Sequence, residues 1–424
     1  MNALHTEEIG SGIWFHTLRD SRFKTNRISV HFLSPLRAET AAGNALISKV
    51  LRRSSKQYPD YQSLAKALEH LYGAYIESGV QKRGDCQVVT TAITGIDDRF
   101  SLDNASISAQ MAKVLSDILL CPVIEHDALN PRYVETEKKS LIESIEALVN
   151  EKRAYAVSRA LRALCDGQAH GIPVYGEKEQ VEALTGEELL AQYVQLIKHC
   201  PVHIFFVGCG DDKPAKQIFA DAFSGIDREP FAVSCLSPLA EKPFSTVSET
   251  LDVAQAKMVL LMHSPIAGSD VNLSAMRVAV SILGGTPMSK LFLNVREKES
   301  LCYYCAARYD SYKGIMAIDC GVEEEQCEQA KESILKQVEA LKAGDFTEEE
   351  IEYAKQSLAN GYRCVYESDV SAENFFFGQL LLQTNNTPEE QFEQMMKVQK
   401  EDVAKAAQTL TLSLVYVLKG EGEA

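Results

Sequence analysis

The chain is short of positive charge. Its 43 lysines and arginines stand against 59 aspartates and glutamates, a formal net charge of -16. Such a surface repels phosphate backbones and anionic lipid headgroups, which excludes nucleic-acid binding and docking on acidic membranes. No apolar run approaches the roughly 20 residues needed to cross a bilayer. The start, MNALHTEEIGSG, lacks the basic residues and apolar stretch of a signal peptide. The eleven cysteines are odd in number and irregular in spacing, which suits free thiols in a reducing compartment. Together these absences predict a soluble, cytoplasmic protein.

Another absence is local. Residues 41–55, AAGNALISKVLRRSS, read as the first long helix. The breaker pair Gly43-Asn44 is expected to precede it, and Leu46, Ile47, Val50 and Leu51 supply an apolar stripe. The stretch follows a strand, a common seat of chemistry, yet holds no carboxylate, histidine or cysteine.

What is present fits a large globular chain. Apolar residues make up 46% and charged residues 24%, enough for a sizeable core, and 424 residues suit two domains. Residues 226–248 carry Pro230, Pro238 and Pro243 without sustained periodicity, the signature of a linker.

The two sides of that segment repeat each other. ISVHFLSPLRAETAAGNALISKVL (28–51) and AKMVLLMHSPIAGSDVNLSAMRVAVSIL (256–283) both read strand, Ser-Pro, polar loop, helix. VETEKKSL (134–141) matches IEYAKQSL (351–358), and LTGEELLAQYV (184–194) matches VQKEDVAKAAQ (398–408). Each half closes on a strand ending in glycine, HIFFVGCG (203–210) and VYVLKGEG (415–422). Four matches in one order predict two α+β domains, 1–228 and 249–424, joined by a linker over 229–248. Alternating strands such as AYIESGV and CQVVTTAI predict mainly antiparallel sheets with helices on one face.

One stretch adds a family resemblance. GGTPMSKLFLNVREKESLCYY (284–304) resembles the GG-x-x-SRLF-x-x-VRE-x-x-x-LAY signature of insulinase-like metallopeptidases, a family that includes pitrilysin and the mitochondrial processing peptidase. HGIPVYGEKEQVEAL (170–184) resembles a second stretch of that family. The resemblance implies a tandem fold of the LuxS and processing-peptidase type.

Zinc-bearing members carry H-x-x-E-H on the first long helix of the first domain, and a later helix adds a glutamate ligand. Laid on that pattern, the first histidine falls at Ala45, the glutamate at Ser48, the second histidine at Lys49 and the later ligand at Ser144. Alanine has no donor, a lysine ammonium repels a dication, and serine cannot act as the general base near neutral pH. The resemblance therefore explains the empty helix as a lost zinc site, with Glu143 and Glu146 the nearest carboxylates to the later position. A partial motif, KALEH (66–70), sets Glu69 and His70 side by side. Its bland reading prevails: a second helix burying Leu64, Ala65, Leu68, Leu71 and Tyr72.

The resemblance also implies a second set of residues. Relatives place an arginine and a tyrosine, seven positions apart in VRE-x-x-x-LAY, on the substrate carbonyl; here these are Arg296 and Tyr303. The bland alternative has Arg296 pairing with Glu297 or Glu299, and Tyr303 as an ordinary strand aromatic. Cys302-x-x-Cys305 has one redox or metal spacing but no second pair, and reads as strand packing. Cys320 and Cys327 fit no metal template, His263 ends an apolar strand, and His170 has no evident partner. Gly284-Gly285-Thr286-Pro287 reads as a helix stop, and Glu323-Glu324-Glu325 as a helix-start charge cluster.

The expected function is a zinc-less subunit that donates Arg296 and Tyr303 to a zinc-bearing paralogous partner acting on extended peptides. It would hold no metal or cofactor itself, and self-association into a dimer is the other arrangement. The alternatives are a peptide-binding scaffold without a catalytic role and, last, an autonomous zinc peptidase using Glu69 and His70.

Overall fold

A computed structural model describes residues 4–102 and 106–420; residues 1–3 of the polar start and 421–422 of the closing VYVLKGEG lie outside them. The chain divides into two compact units. The first gathers the residues up to 146, then 172–234 and 366–377; the second gathers 147–171, 235–365 and the residues from 378 onward.

The first unit is built on a six-stranded sheet. Its order is His5–Gly10, Ile13–Arg19, Val202–Gly208, Thr25–Pro35, Cys86–Ile96, Tyr75–Arg83. Alternation along the strands sends Ile13, Phe15, Ile28, Val30, Phe32, Ile204 and Phe206 to one face. There they pack against the helices Ala38–Leu51, Ile107–Leu120, Gly186–His199 and Asp212–Ser224. The alternating strands AYIESGV and CQVVTTAI form a hairpin whose first strand runs on through Arg83, so that the chain turns at Gly84, φ +55.

The second unit carries a five-stranded sheet, Cys302–Asp310, Ile315–Val322, Ala256–His263, Thr411–Lys419, Ser245–Thr250. The repeat read in the sequence is a repeat of topology. In each sheet the entering strand (Ile13–Arg19 or Ser245–Thr250) runs parallel to the closing strand. The closing strand is antiparallel to the Ser-Pro strand, which is antiparallel to the inner strand of a hairpin. The outer strands, Tyr75–Arg83 and Cys302–Asp310, are equivalent sheet edges.

The opposite face of each sheet is covered by a segment from the other half of the chain. Residues 366–377 join the first unit, where Glu373 meets Arg27 and His31. Helix Lys152–Leu164 joins the second, packing Ala156, Ala160 and Leu164 on Val259, Leu261 and Tyr416. Both contacts include ion pairs: Arg27 with Glu373 in one, Arg153 with Asp319 and Arg159 with Glu249 in the other.

Two local expectations are corrected. Gly43-Asn44 does not precede the first helix; it lies inside it, since the helix starts at Ala38. A Cβ on Gly43 would stand 2.1 Å from Gln192 Oε1, so glycine here admits a neighbouring side chain rather than a turn. Asn44 is buried, donating to Ser34 Oγ and Gln87 Oε1 and accepting from Gln192 Nε2 at 2.7 Å. On the second helix, Tyr61–His70, only Leu64 is buried, Leu71 is buried just beyond it, and Tyr72 is 40% exposed at a positive φ. Among the described residues no helix is long and apolar enough to cross a membrane.

Candidate functional site

Of the four degenerate positions, Ala45, Ser48 and Lys49 lie on the first helix and Ser144 on the helix Pro131–Ala147. Ala45 and Ser48 are buried, and the Ser48 hydroxyl donates to the Ala45 carbonyl at 2.8 Å. Lys49 Nζ reaches Ser140 Oγ on the second helix at 3.4 Å. Ser144 donates its hydroxyl to the Ser140 carbonyl at 2.7 Å, turning it back on its own helix. Beyond the end of the first helix, Arg53 forms an ion pair with Glu137, a carboxylate 0% exposed. Glu137 was missed in the sequence reading, although it lies two turns before Ser144 and so on the same helical face. Its Oε2 is buried without a hydrogen-bond partner.

Arg296 and Tyr303 lie in the second unit. Arg296 sits in Leu291–Lys298, a π-helical stretch, where Glu299 N–H donates to the Asn294 carbonyl at 2.9 Å. Such turns are wider than α-helical ones and are frequent at functional sites. The Arg296 guanidinium lies 4.4 Å from the centre of the Phe292 ring and 3.6 Å from the Glu297 carboxylate, the pairing expected of a structural arginine. Tyr303 is 75% exposed on the edge strand. The reason is a β-bulge: Cys302 pairs with Val322 and Tyr304 with Gly321, which leaves Tyr303 as the extra residue. Tyr304 is the inward one, its ring under Arg153 at 4.2 Å and its hydroxyl buried without a partner.

These two sites can be compared with known proteins. A family profile described as "Peptidase M16 inactive domain" matches residues 183–358. "Probable inactive metalloprotease YmfF" of Bacillus subtilis is 28% identical over 409 residues, 96% of each chain. The likeness to insulinase-like peptidases thus runs over nearly the whole chain. This insulinase-like chain is also 21% identical to "Uncharacterized zinc protease YmxG" of Bacillus subtilis over 74% of its length and 77% of that protein's. A crystal structure of a conserved protein from Enterococcus faecalis V583 covers it fully at TM-score 0.93 and 26% identity. The peptidase M16 inactive domain from Pseudomonas fluorescens shares the fold, at TM-score 0.80, 16% identity and 99% coverage of both chains.

The family's zinc does not fit this insulinase-like chain. At the degenerate positions one residue has no donor, two hydroxyls are committed to backbone carbonyls, and the remaining group is an ammonium. Among the described residues no three of histidine, cysteine, aspartate and glutamate are grouped to hold a metal. The partial motif is dispersed: Glu69 and His70 are exposed, and Glu146 pairs with Lys178 at 2.5 Å. Glu69 instead lines a cavity of about 420 Å³ with Arg52, Arg53, Tyr61 and Tyr75, beside the edge strand Tyr75–Arg83.

Three of the remaining candidates have structural settings. His170 is buried and does have a partner, Asp310, at 3.6 Å. Gly284 lies against the edge strand, where a Cβ would meet Ala307 N at 2.6 Å. The acidic run leads into the helix Cys327–Lys342.

Proposed function

We propose that this chain is the zinc-less half of a two-chain peptidase. It holds an extended peptide and presents Arg296 and Tyr303 to a zinc-bearing partner of the same family, which performs the cut. The Tyr303 bulge carries this reading. A large aromatic with its hydroxyl in solvent has no packing role, and it stands on an open sheet edge to which a peptide can add as a further strand. Arg296 is close enough for its charge to act on the thiol of Cys302, the residue before Tyr303. A guanidinium and a phenol at a strand-binding edge suit a carbonyl oxygen that gains negative charge. Bacterial relatives named zinc proteases are compatible with a paralogous partner.

A second reading, peptide binding with no part in catalysis, is favoured by the stacking of Arg296 on Phe292 and its pairing with Glu297. One experiment separates the two. The chain is mixed with a zinc-bearing paralogue from the same cell, and cleavage of an internally quenched peptide is followed. Donation requires activity in the mixture that neither chain shows alone, lost with Arg296→Ala and with Tyr303→Phe. Unchanged activity with both variants assigns the chain to binding alone.

A further inference from the structure

The bulge at Tyr303 has a second effect, on cysteines. In a regular strand Cys302 and Cys305, three residues apart, would point to opposite faces of the sheet. Here Cys302 opposes Val322 and Cys305 opposes Cys320, and positions 320 and 322 share a face. The extra residue therefore brings Cys302, Cys305 and Cys320 onto one face, all within the second unit's core. It also shortens the Cys302–Cys305 span to about two strand rises, or roughly 6.6 Å. That lies inside the ~4.4–6.8 Å between Cα atoms that a disulfide spans.

Each thiol feels its neighbours: Cys302 and Cys305 act on one another, and Cys320 acts on Cys305. They are also unequal. The hydrogen bond from Cys305 and the nearby Arg296 charge hold the Cys302 thiol below the usual range. Hydrogen bonding to Cys302 and Cys320, with burial, pushes Cys305 well up. Cys302 is the outermost of the three at 9% exposure, Cys305 follows at 6%, and Cys320 is sealed at 0%. A more acidic outer thiol against a protonated inner one is the division of labour between attacking and resolving cysteines.

We propose that Cys302 and Cys305 form a reversible dithiol–disulfide couple that responds to hydroperoxides. The Cys302 thiolate attacks one peroxide oxygen and the O–O bond breaks. Cys302 becomes a sulfenic acid, and the departing hydroxide takes a proton from solvent to leave as water. Cys305 then loses its proton and attacks the Cys302 sulfur. The S–S bond forms, the S–O bond breaks, and the hydroxyl leaves with that proton as a second water. Two thiols are oxidised by two electrons as one hydrogen peroxide is reduced to two waters, and a dithiol reductant reverses the change by exchange. This inference does not depend on any role of Arg296 or Tyr303 toward a peptide.

The test uses the reduced full-length protein and substoichiometric hydrogen peroxide, followed by alkylation and tryptic mass spectrometry. Cys302 and Cys305 lie between Lys298 and Arg308 and so fall on one peptide. In the wild type both alkylation sites on that peptide are expected to disappear together and return with dithiothreitol. Cys305→Ser should stop at a Cys302 sulfenic acid trapped by dimedone. Arg296→Ala should slow Cys302 oxidation severalfold, and Cys320→Ala should leave the disulfide intact. The wild-type result stands even if a variant misfolds. The proposal is overturned if the peptide stays fully alkylated while the exposed Cys364 oxidises, or if the disulfide joins Cys305 to Cys320.

Discussion

Arg27 and Glu373, 346 residues apart in the chain, form an ion pair at 2.9 Å with both side chains almost wholly buried. Glu373 also accepts from His31 at 3.0 Å, and Arg27 also donates to Glu77 and Thr94. Burial alone would raise the Glu373 carboxyl, but His31 and Arg27 prevail and hold it below the usual range. Residues from late in the chain are thereby tied into the first unit through charge.

Removing one member of a buried pair leaves the other uncompensated. Glu373→Ala is expected to destabilise the first unit by about 3 kcal/mol. The paired replacement Arg27→Met with Glu373→Leu should cost less than Glu373→Ala alone. Urea unfolding with intrinsic fluorescence checks both; equal losses would show that the ion pair is not what matters there.

The same face gives the first unit a pH dependence. His16 Nε2 lies 2.9 Å from His203 Nδ1, and His16 Nδ1 lies 2.8 Å from Thr6 Oγ1. Burial, then the neighbouring His31, pushes His16 down from 6.5 to about 3, and His203 is lowered by burial and by His16 and His31. The unfolded chain takes up protons at these histidines near pH 6.5 while the folded chain does not. Their contribution is therefore complete above that pH and is lost as pH falls toward about 3. At about pH 5 the loss from His16 alone is of the order of 2 kcal/mol. Glu373 adds a further loss in the acid range, as its lowered carboxyl is finally protonated. Unfolding midpoints measured across this range should fall steadily for the wild type and less steeply for His16→Gln.

The first helix offers a double-mutant test. Gly43→Ala should displace Gln192, breaking its hydrogen bonds to the Thr40 carbonyl and Asn44. A loss of about 1–2 kcal/mol is expected. With Gln192→Ala the space is free, and the same change should stabilise by up to ~1 kcal/mol through helix propensity. If Gly43→Ala has the same effect in both backgrounds, the close approach of Gln192 is not why glycine is there.

Tyr303→Phe removes only an exposed hydroxyl and should change stability by less than about 0.5 kcal/mol. Arg296→Ala loses the stacking on Phe292, worth about 0.5–1 kcal/mol at an open site. Thermal denaturation of each purified variant checks this. A small shift means that any activity lost in the two-chain assay is lost from function; a collapse of either variant would assign the residue to the fold.

Much was legible in the chain alone because it depends on residue type and on short spacings. Alternation and turn residues marked the strands, and the ordered repeats marked two units of one topology. Residue type alone shows that Ala45, Ser48 and Lys49 are no zinc ligands, since a methyl, a hydroxyl and an ammonium are poor donors in any conformation. The bulge was not legible: one extra residue in a strand has no local signature, and it alone exposes Tyr303 and gathers three thiols on one face. Nor was Arg53 with Glu137, or Arg27 with Glu373, because pairs so distant in sequence meet only through the packing of whole elements. That positions 45, 48 and 49 carry no zinc ligand was decided by the sequence. Which of the remaining side chains face one another, and which face solvent, was decided by the tertiary structure, because sheet register and helix packing act through space.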